Sequence, residues 1–378
     1  MKIVIAPDSF KESLSAMEVA HAMKAGFGKI FTNAMFDLVP MADGGEGTVD
    51  AMVRATNGTF LTVNVTGPLH QPVEAVMGIL GDGKTAVIEM AAASGLPLVR
   101  RELRNPMNTT TLGTGQLIAE ALDQGIGRFI IGIGGSATVD GGIGAMTALG
   151  AMFLDENGQQ VPPTGRGLGK IATIDFSQFD KRIRECEFLI ACDVNNPLTG
   201  PTGAARVFGP QKGATPEMVQ VLDENLSRYA RIVREQLSVD IETPPGAGAA
   251  GGLGAALLGF CNAKLLSGSE LVAKAVGLEE RLASADLCLT GEGRIDGQSA
   301  NGKVCYHVAQ LAKKHNIPVI AIAGSVGVDA DKNVPPLTAF FAIVNQPMEL
   351  SQAVARAPEL IQTQAEQIAR IITTFRTE

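Results

Sequence analysis

Apolar runs of four to seven residues recur along the chain, and most of them end in glycine and acid. KIVIA (2 to 6) is such a run, closed by Pro7 and Asp8, and it predicts a first β-strand. After the loop PDSFKES, Ser15 with Glu18 three residues on forms a capping box. Val19, Met23 and Phe27 follow at helical spacing. FDLVP (36 to 40) predicts a second strand, MADGGEG its exit loop, and 48 to 56 a helix. From Thr59 the period changes to two. TFLTVNVTG and PVEAVMGIL alternate, TAVIEM follows, and no helix separates them. This is an antiparallel meander with Asp82-Gly83 as a two-residue hairpin turn. Further on, 110 to 123 reads as a helix, 128 to 134 and 187 to 193 as strands, and 215 to 236 as a long surface helix. Near Asp286 the βα alternation returns. DLCLTGEG is a buried strand plus loop, 302 to 314 a helix, 318 to 324 and 340 to 344 strands, and 350 to 375 one closing helix. Alternating strands and helices predict an α/β protein with parallel strands. The two ends, 1–58 and 285–378, form one five-stranded domain, and 59–284 is a second, mixed domain inserted into it.

Composition narrows the function. The 378 residues are 46% hydrophobic, enough for two ordinary domains. No apolar run approaches the ~20 residues that cross a bilayer. The N-terminal run is too short for a signal peptide, so a cytoplasmic location is expected. A net charge of −8, aromatics at 4% and no Trp argue against a nucleic-acid partner. An anionic substrate must then be held by local cations and amides. Five cysteines form no CxxC pair and read as buried thiols; neither they nor the four scattered histidines have zinc spacing. Glycine is the anomaly. The 44 glycines gather in ADGGEG, GIGGSATVDGG, GAGAAGGLG and TGEGRIDG, at the ends of apolar runs, where a backbone can approach a ligand.

Three nucleotide-binding look-alikes are tested by their flanks. GILGDGKT (78 to 85) matches a Walker A box, but an alternating strand precedes it and Gly95 and Pro97 stop any helix after it. It is expected to be a plain hairpin. Gly132-Ile-Gly134-Gly135-Ser136-Ala137 follows a good strand and fits a dinucleotide fingerprint, with Asp155 at nearly the right distance for a ribose. Asp140-Gly141-Gly142 interrupts the helix that fingerprint needs, at about 1 kcal/mol per glycine. The segment reads instead as an amide-lined anion cradle with a helix starting after Gly142. Gly246 to Gly251 fits GxGxxG but follows Pro244-Pro245, not a strand.

What remains is a set of strand-exit loops carrying acids and bases: Asp8-Ser9-Phe10-Lys11, Asp43 to Gly47, Asp193 to Asn196, and Gly291 to Asp296 with Lys303 beyond. Arg206 and Lys212 lie in AARVFGPQKGA. In an open parallel sheet such exits gather along one edge. Carboxylates there hold Mg²⁺ or take a hydroxyl proton; cations and amides neutralise phosphate. The inventory suits phosphoryl transfer. It contains no nucleophilic Ser or Cys with a partnered His. Each residue also has a plain reading as turn former, cap or surface charge.

APDSFKESLSA, VPMADGGEGTVDAM, IGIGGSATVDGG, ACDVNNPLTG, FGPQKGA, PGAGAAGGLGAAL and TGEGRIDGQS, in this order, resemble the bacterial class I glycerate kinases. The resemblance implies ATP-dependent phosphorylation of D-glycerate, to 2-phosphoglycerate. It also implies a flavodoxin-like domain and one resembling restriction-endonuclease folds, with the active site in the cleft between them. The resemblance assigns no role to single residues; from the charges at the strand exits we expect Arg294 and Lys11 to grip the substrate carboxylate, with Asp8 and Ser9 beside them. Asp193 or Asp296 accepts the hydroxyl proton. Asp43 and Glu46 hold Mg²⁺. Gly134, Gly135, Ser136, Asp140, Gly141 and Lys212 face the ATP phosphates. The other readings are phosphorylation at the 3-hydroxyl, a sugar-acid-binding regulator, and a nicotinamide dehydrogenase acting through the Gly132 fingerprint.

Overall fold

The protein is described by a computed structural model covering residues 1–297, 299 and 303–375. Among these, thirteen strands follow in chain order: β1 (Lys2–Ile5), β2 (Met35–Leu38), β3 (Thr59–Thr66), β4 (Pro72–Ile79), β5 (Thr85–Glu89), β6 (Arg128–Gly132), β7 (Met152–Leu154), β8 (Thr173–Asp175), β9 (Glu187–Ala191), β10 (Lys264–Leu266), β11 (Leu287–Ile295), β12 (Val319–Val326) and β13 (Ala339–Ala342). The chain divides into two compact units. The first is Met1–Asp43, Asp50–Asn57 and the residues from Ser269 on; the second is Gly44–Val49 and Gly58–Gly268. The expected outline differs at three places. Gly44–Val49 and Gly58 belong to the insertion, and 269 to 284 belongs to the terminal unit.

The terminal unit is built on a five-stranded sheet in the order β13-β12-β11-β1-β2, every pair parallel. Counted within the unit this is 2-1-3-4-5, the flavodoxin-like order, with its reversal between β1 and β11. The helix Ala16–Gly28 starts at the predicted capping box. Ser15 Oγ accepts the Glu18 amide (3.3 Å), and Glu18 Oε2 accepts the Ser15 amide (2.8 Å). Its buried stripe contains Val19, Met23 and Phe27. They join Ile3, Ile5, Leu289, Ile322 and Ile361 in one core. The closing helix is two helices, Leu350–Ala355 and Ala357–Phe375. Pro358 explains the break: it lacks the N–H that would bond Val354, and its ring crowds that carbonyl. The expected loop from Gly291 to Asp296 is also corrected. β11 runs through Ile295 and stays paired to β12 as far as Ile295↔Val326, so Glu292 and Arg294 stand on a strand.

The inserted unit carries a six-stranded sheet, β10-β9-β6-β5-β4-β3. β5, β6, β9 and β10 are parallel, and β3–β4–β5 form the predicted antiparallel meander. Phe129 and Phe188, directly opposed on β6 and β9, stack with ring centroids 4.6 Å apart. The core around them takes in Ile88, Leu117, Ile143, Phe153 and Tyr229. The turn after β4 is wider than two residues. Leu80 and Thr85 close it (2.9 Å), and Gly83 has φ +64°. Asp82 accepts the Lys84 and Thr85 amides (2.9 and 3.0 Å) and the Thr85 hydroxyl (2.7 Å). Thr85 begins β5 and Lys84 is exposed, so GILGDGKT is a hairpin and not a phosphate loop.

Candidate active site

In the terminal unit the reversal of strand order sits between β1 and β11, and ligands of open α/β sheets bind outside the carboxyl ends of strands at such a point. The chain leaving β1 stays against β11: the Ala6 amide donates to Leu289 O and the Asp8 amide to Gly291 O, both at 2.8 Å. Continuing the register of Ile5↔Leu289 brings Asp8 level with Glu292. Both acids are buried, 8% and 6% exposed. Asp8 accepts the Ser9 amide at 2.6 Å, and the Ser9 hydroxyl lies 3.4 Å away. Glu292 Oε1 is buried and has no hydrogen-bond partner among the described residues. Lys11 Nζ pairs with Asp43 Oδ2 at 3.2 Å. Burial first, and then the Asp43 charge, push the Asp8 carboxyl up to about 7. Burial also raises Glu292, and Asp43 raises Lys11. The result is a cluster of three acids and one ammonium at the switch point. Glu292, quoted in TGEGRID but given no role above, is its most buried member; the acid between two glycines after an apolar run was its sequence signal.

Further along β11, Arg294 Nε meets Asp296 Oδ2 at 3.2 Å. Gly297, Val328, Asp329 and Lys332 complete a polar pocket of about 450 Å³ with them. Asn333 donates to Asp296 O (2.9 Å) and fixes the loop.

In the inserted unit, the segment after β6 is a long loop and not a dinucleotide turn. Gly135, Gly141 and Gly142 take φ of +70°, +63° and +76°, and the helix Ile143–Ala148 starts after Gly142 as expected. Asp140 is fully buried and organises this loop. Its Oδ2 accepts the Thr111 amide (2.7 Å), the Thr111 hydroxyl (2.8 Å) and the Gly144 amide (3.3 Å); Oδ1 accepts the Gly142 amide (3.1 Å). Asp140 therefore has no acceptor facing outward and no reason to meet an anion. Gly141 is also inside, its amide on Gly251 O (3.0 Å). Gly134 and Gly135 are exposed, with Ser136 just beneath. Lys212 is 2% exposed and donates to Ser136 Oγ and Thr138 O, both at 2.7 Å. Burial pushes its ammonium down to about 7, against the pull of Asp140. Lys212 thus supports the loop from behind, a correction to its expected direct contact with phosphate.

Asp193, exposed at the end of β9, accepts the Gly268 amide at 3.0 Å. Glu46 is exposed, and its charge acts on Glu89. Glu89 Oε1 accepts the Val49 amide (2.8 Å) at the start of the helix Thr48–Thr56. The expected sites therefore sort by unit. Asp8, Ser9, Lys11, Asp43, Arg294 and Asp296 lie in the terminal unit. Glu46, Gly134, Gly135, Ser136, Asp140, Gly141, Asp193 and Lys212 lie in the insertion. The two residues expected to hold metal fall in different units, and among the described residues no group of three acids, histidines or cysteines is placed to hold a metal ion.

A profile of the glycerate kinase family matches residues 3–373. The chain belongs to the glycerate kinase family. Membership makes it a phosphotransferase. Among its relatives, the glycerate kinase of Bacillus subtilis is 51% identical over all of this chain and 99% of its own length. The glycerate 2-kinase of Escherichia coli is 56% identical over 87% of this chain and 86% of its own length. A solved structure described as glycerate kinase 2 from Salmonella typhimurium LT2 superposes with a TM-score of 0.93 at 51% identity, covering both chains fully. These likenesses support the expected fold class, two α/β domains with one parallel and one mixed sheet. No helix among the described residues is long and apolar enough to cross a membrane.

Proposed function

We propose that this family member transfers the γ-phosphoryl group of ATP to D-glycerate and releases 2-phosphoglycerate. The carrying observation is the group Asp8, Lys11, Asp43 and Glu292 at the switch point of the parallel sheet. The choice of the 2-hydroxyl is supported by the 56% likeness to a protein named for that position.

Glycerate offers one carboxylate and two hydroxyls. Arg294 presents a planar fork suited to the carboxylate, and Lys11 adds a second positive charge. The hydroxyl that attacks phosphorus must lose its proton. Asp193 and Asp296 were the candidates read from sequence. Asp296 faces Arg294, and Asp193 holds the Gly268 amide. Asp8 is the better base, because burial and Asp43 set it near neutrality, where a base works well. The exposed glycines Gly134 and Gly135 receive the ATP phosphates through backbone N–H groups. Magnesium would arrive on the triphosphate, with Glu46 as its protein carboxylate; such ions often take one or two carboxylates and several waters. It would neutralise phosphate charge. Alignment and charge neutralisation, not the strength of the base, carry most of the rate.

The test is direct. Purified protein is given ATP, magnesium and D-glycerate, ADP release is followed by a coupled assay, and the product is read by NMR. ADP release with phosphorus on carbon 2 is the expected result. Phosphorus on carbon 3 would overturn the regiochemistry. Glycerate binding without turnover would make the protein a sensor.

A further inference from the structure

The phosphate-facing loop of the inserted unit has a feature that glycine alone does not explain. Its amides are spent unevenly. The Ala137 amide goes to Ser94 O (2.9 Å), Gly141 to Gly251 O (3.0 Å), and Gly142 and Gly144 to Asp140. The amides of Gly134, Gly135 and Ser136 donate to no group among the described residues. Within the loop, Gly134 and Gly135 are the exposed residues, with Ser136 just beneath, so this stretch is the one open to an anion. Behind it sits Lys212, whose ammonium touches Ser136 Oγ.

A serine hydroxyl has one hydrogen and two lone pairs. Lys212 donates to Ser136 Oγ at 2.7 Å, so a lone pair is already in use. The hydrogen must point elsewhere, and no group among the described residues accepts it. A buried lysine thereby turns an ambivalent hydroxyl into a donor. Lys212 is itself held by Thr138 O (2.7 Å), which fixes where the ammonium sits. Among the described residues, the charged group that acts on Lys212 is Asp140, which also adds to burial in raising the Tyr229 hydroxyl.

We propose that Ser136 Oγ–H donates to an anionic oxygen of the nucleotide, with Lys212 as a positioning residue that enforces this direction. The inference rests on the reading of Gly134–Ser136 as the nucleotide site. Neutral Lys212 can accept a hydrogen bond from the hydroxyl, whereas charged Lys212 cannot. Burial places that change near neutral pH, so anion affinity falls as pH rises through it.

Calorimetric titration of the full chain with MgADP at pH 6.5 and 8.5 tests this. The wild type is expected to lose affinity about fivefold between the two. Ser136→Ala is expected to bind about tenfold more weakly at pH 6.5, to show no pH difference, and to leave KM for glycerate unchanged. Ser136→Thr keeps the hydroxyl and is expected to recover most of the affinity. Lys212→Met is expected to match Ser136→Ala; should it fail to fold, the Ser136 pair decides alone. Ser136→Ala binding MgADP like the wild type overturns the relay while leaving the kinase reading intact. A wild type that turns over glycerate but whose MgADP affinity is the same at both pH values also overturns it. A wild type that binds no MgADP removes the nucleotide reading of this loop, and the relay with it.

Discussion

Asp8 shows how a single side chain is tuned. Its carboxyl is 8% exposed, has one short amide donor, and shares its surroundings with Asp43 and Glu292. Folding raises its pKa, so the folded state holds a proton that the unfolded chain has lost. Stability attributable to this group is present below the ordinary carboxylate range and is lost as pH rises toward about 7. Asp8→Asn removes that penalty. The variant is expected to melt at a higher temperature than the wild type at pH 8 and at the same temperature near pH 4, while kcat falls about 10²-fold or more. Paired thermal scans and a rate assay check both halves. Arg294→Ala is expected to raise KM for glycerate about tenfold with KM for ATP unchanged; the opposite split would assign Arg294 to the nucleotide. At this scale the sequence was half legible. Asp8, Lys11 and Asp43 were found as strand-exit charges, and the structure groups them. Glu292 was passed over because an acid inside TGEGR looks like loop, and the pairing of β11 with β12 that buries it is non-local. Asp140 and Lys212 were assigned outward roles because they stand in glycine-rich segments read as facing phosphate. Their burial depends on Thr111 and Thr138, distant or silent in the pattern.

Elements were more legible than residues, since each is written in a local period. The capping box at Ser15, the alternation from Thr59 and the helix start after Gly142 needed no tertiary information. Boundaries failed where tertiary context intervened: Pro358 cut the last helix, and Asp82 widened a turn by capturing three donors. Glycine carries an element-scale prediction. Gly44 has φ +86°, and a Cβ there would overlap the Ala191 side chain at the end of β9. Gly44→Ala combines left-handed strain, about 1–2 kcal/mol, with an overpacked contact of about 1–3 kcal/mol. The expected result in urea is a midpoint lowered at unchanged slope; an unaltered midpoint would mean that this glycine is free to change.

Each unit has its own buried core, one around Met23 and Leu289, the other around Phe129 and Tyr229. A fragment comprising residues 58–268 keeps all six strands of its sheet and is expected to unfold cooperatively on heating. It lacks Gly44–Val49, which lie against Gly132 and Ala191 in the whole chain, so its melting temperature is expected to be lower than that of the same unit in the intact protein. A broad, non-cooperative melt would contradict an independent core. The overall plan, a parallel domain interrupted by a mixed one, was readable from the change of period at Thr59 and its return near Asp286. The exact seams were not, because membership in a unit is decided by packing.

β11 has one more consequence. Glu292 and Arg294 are two positions apart on a paired strand, so they stand on the same side of the sheet, spaced by the rigid pleat, about 6.6 Å. The strand acts as a ruler for charge: a buried acid at one mark and a cation at the next, with no hinge between them. Insertion of a single residue after Glu292 would turn the guanidinium through the sheet to the opposite side. Within the strand, insertions keep both charges on one side of the sheet only in steps of two.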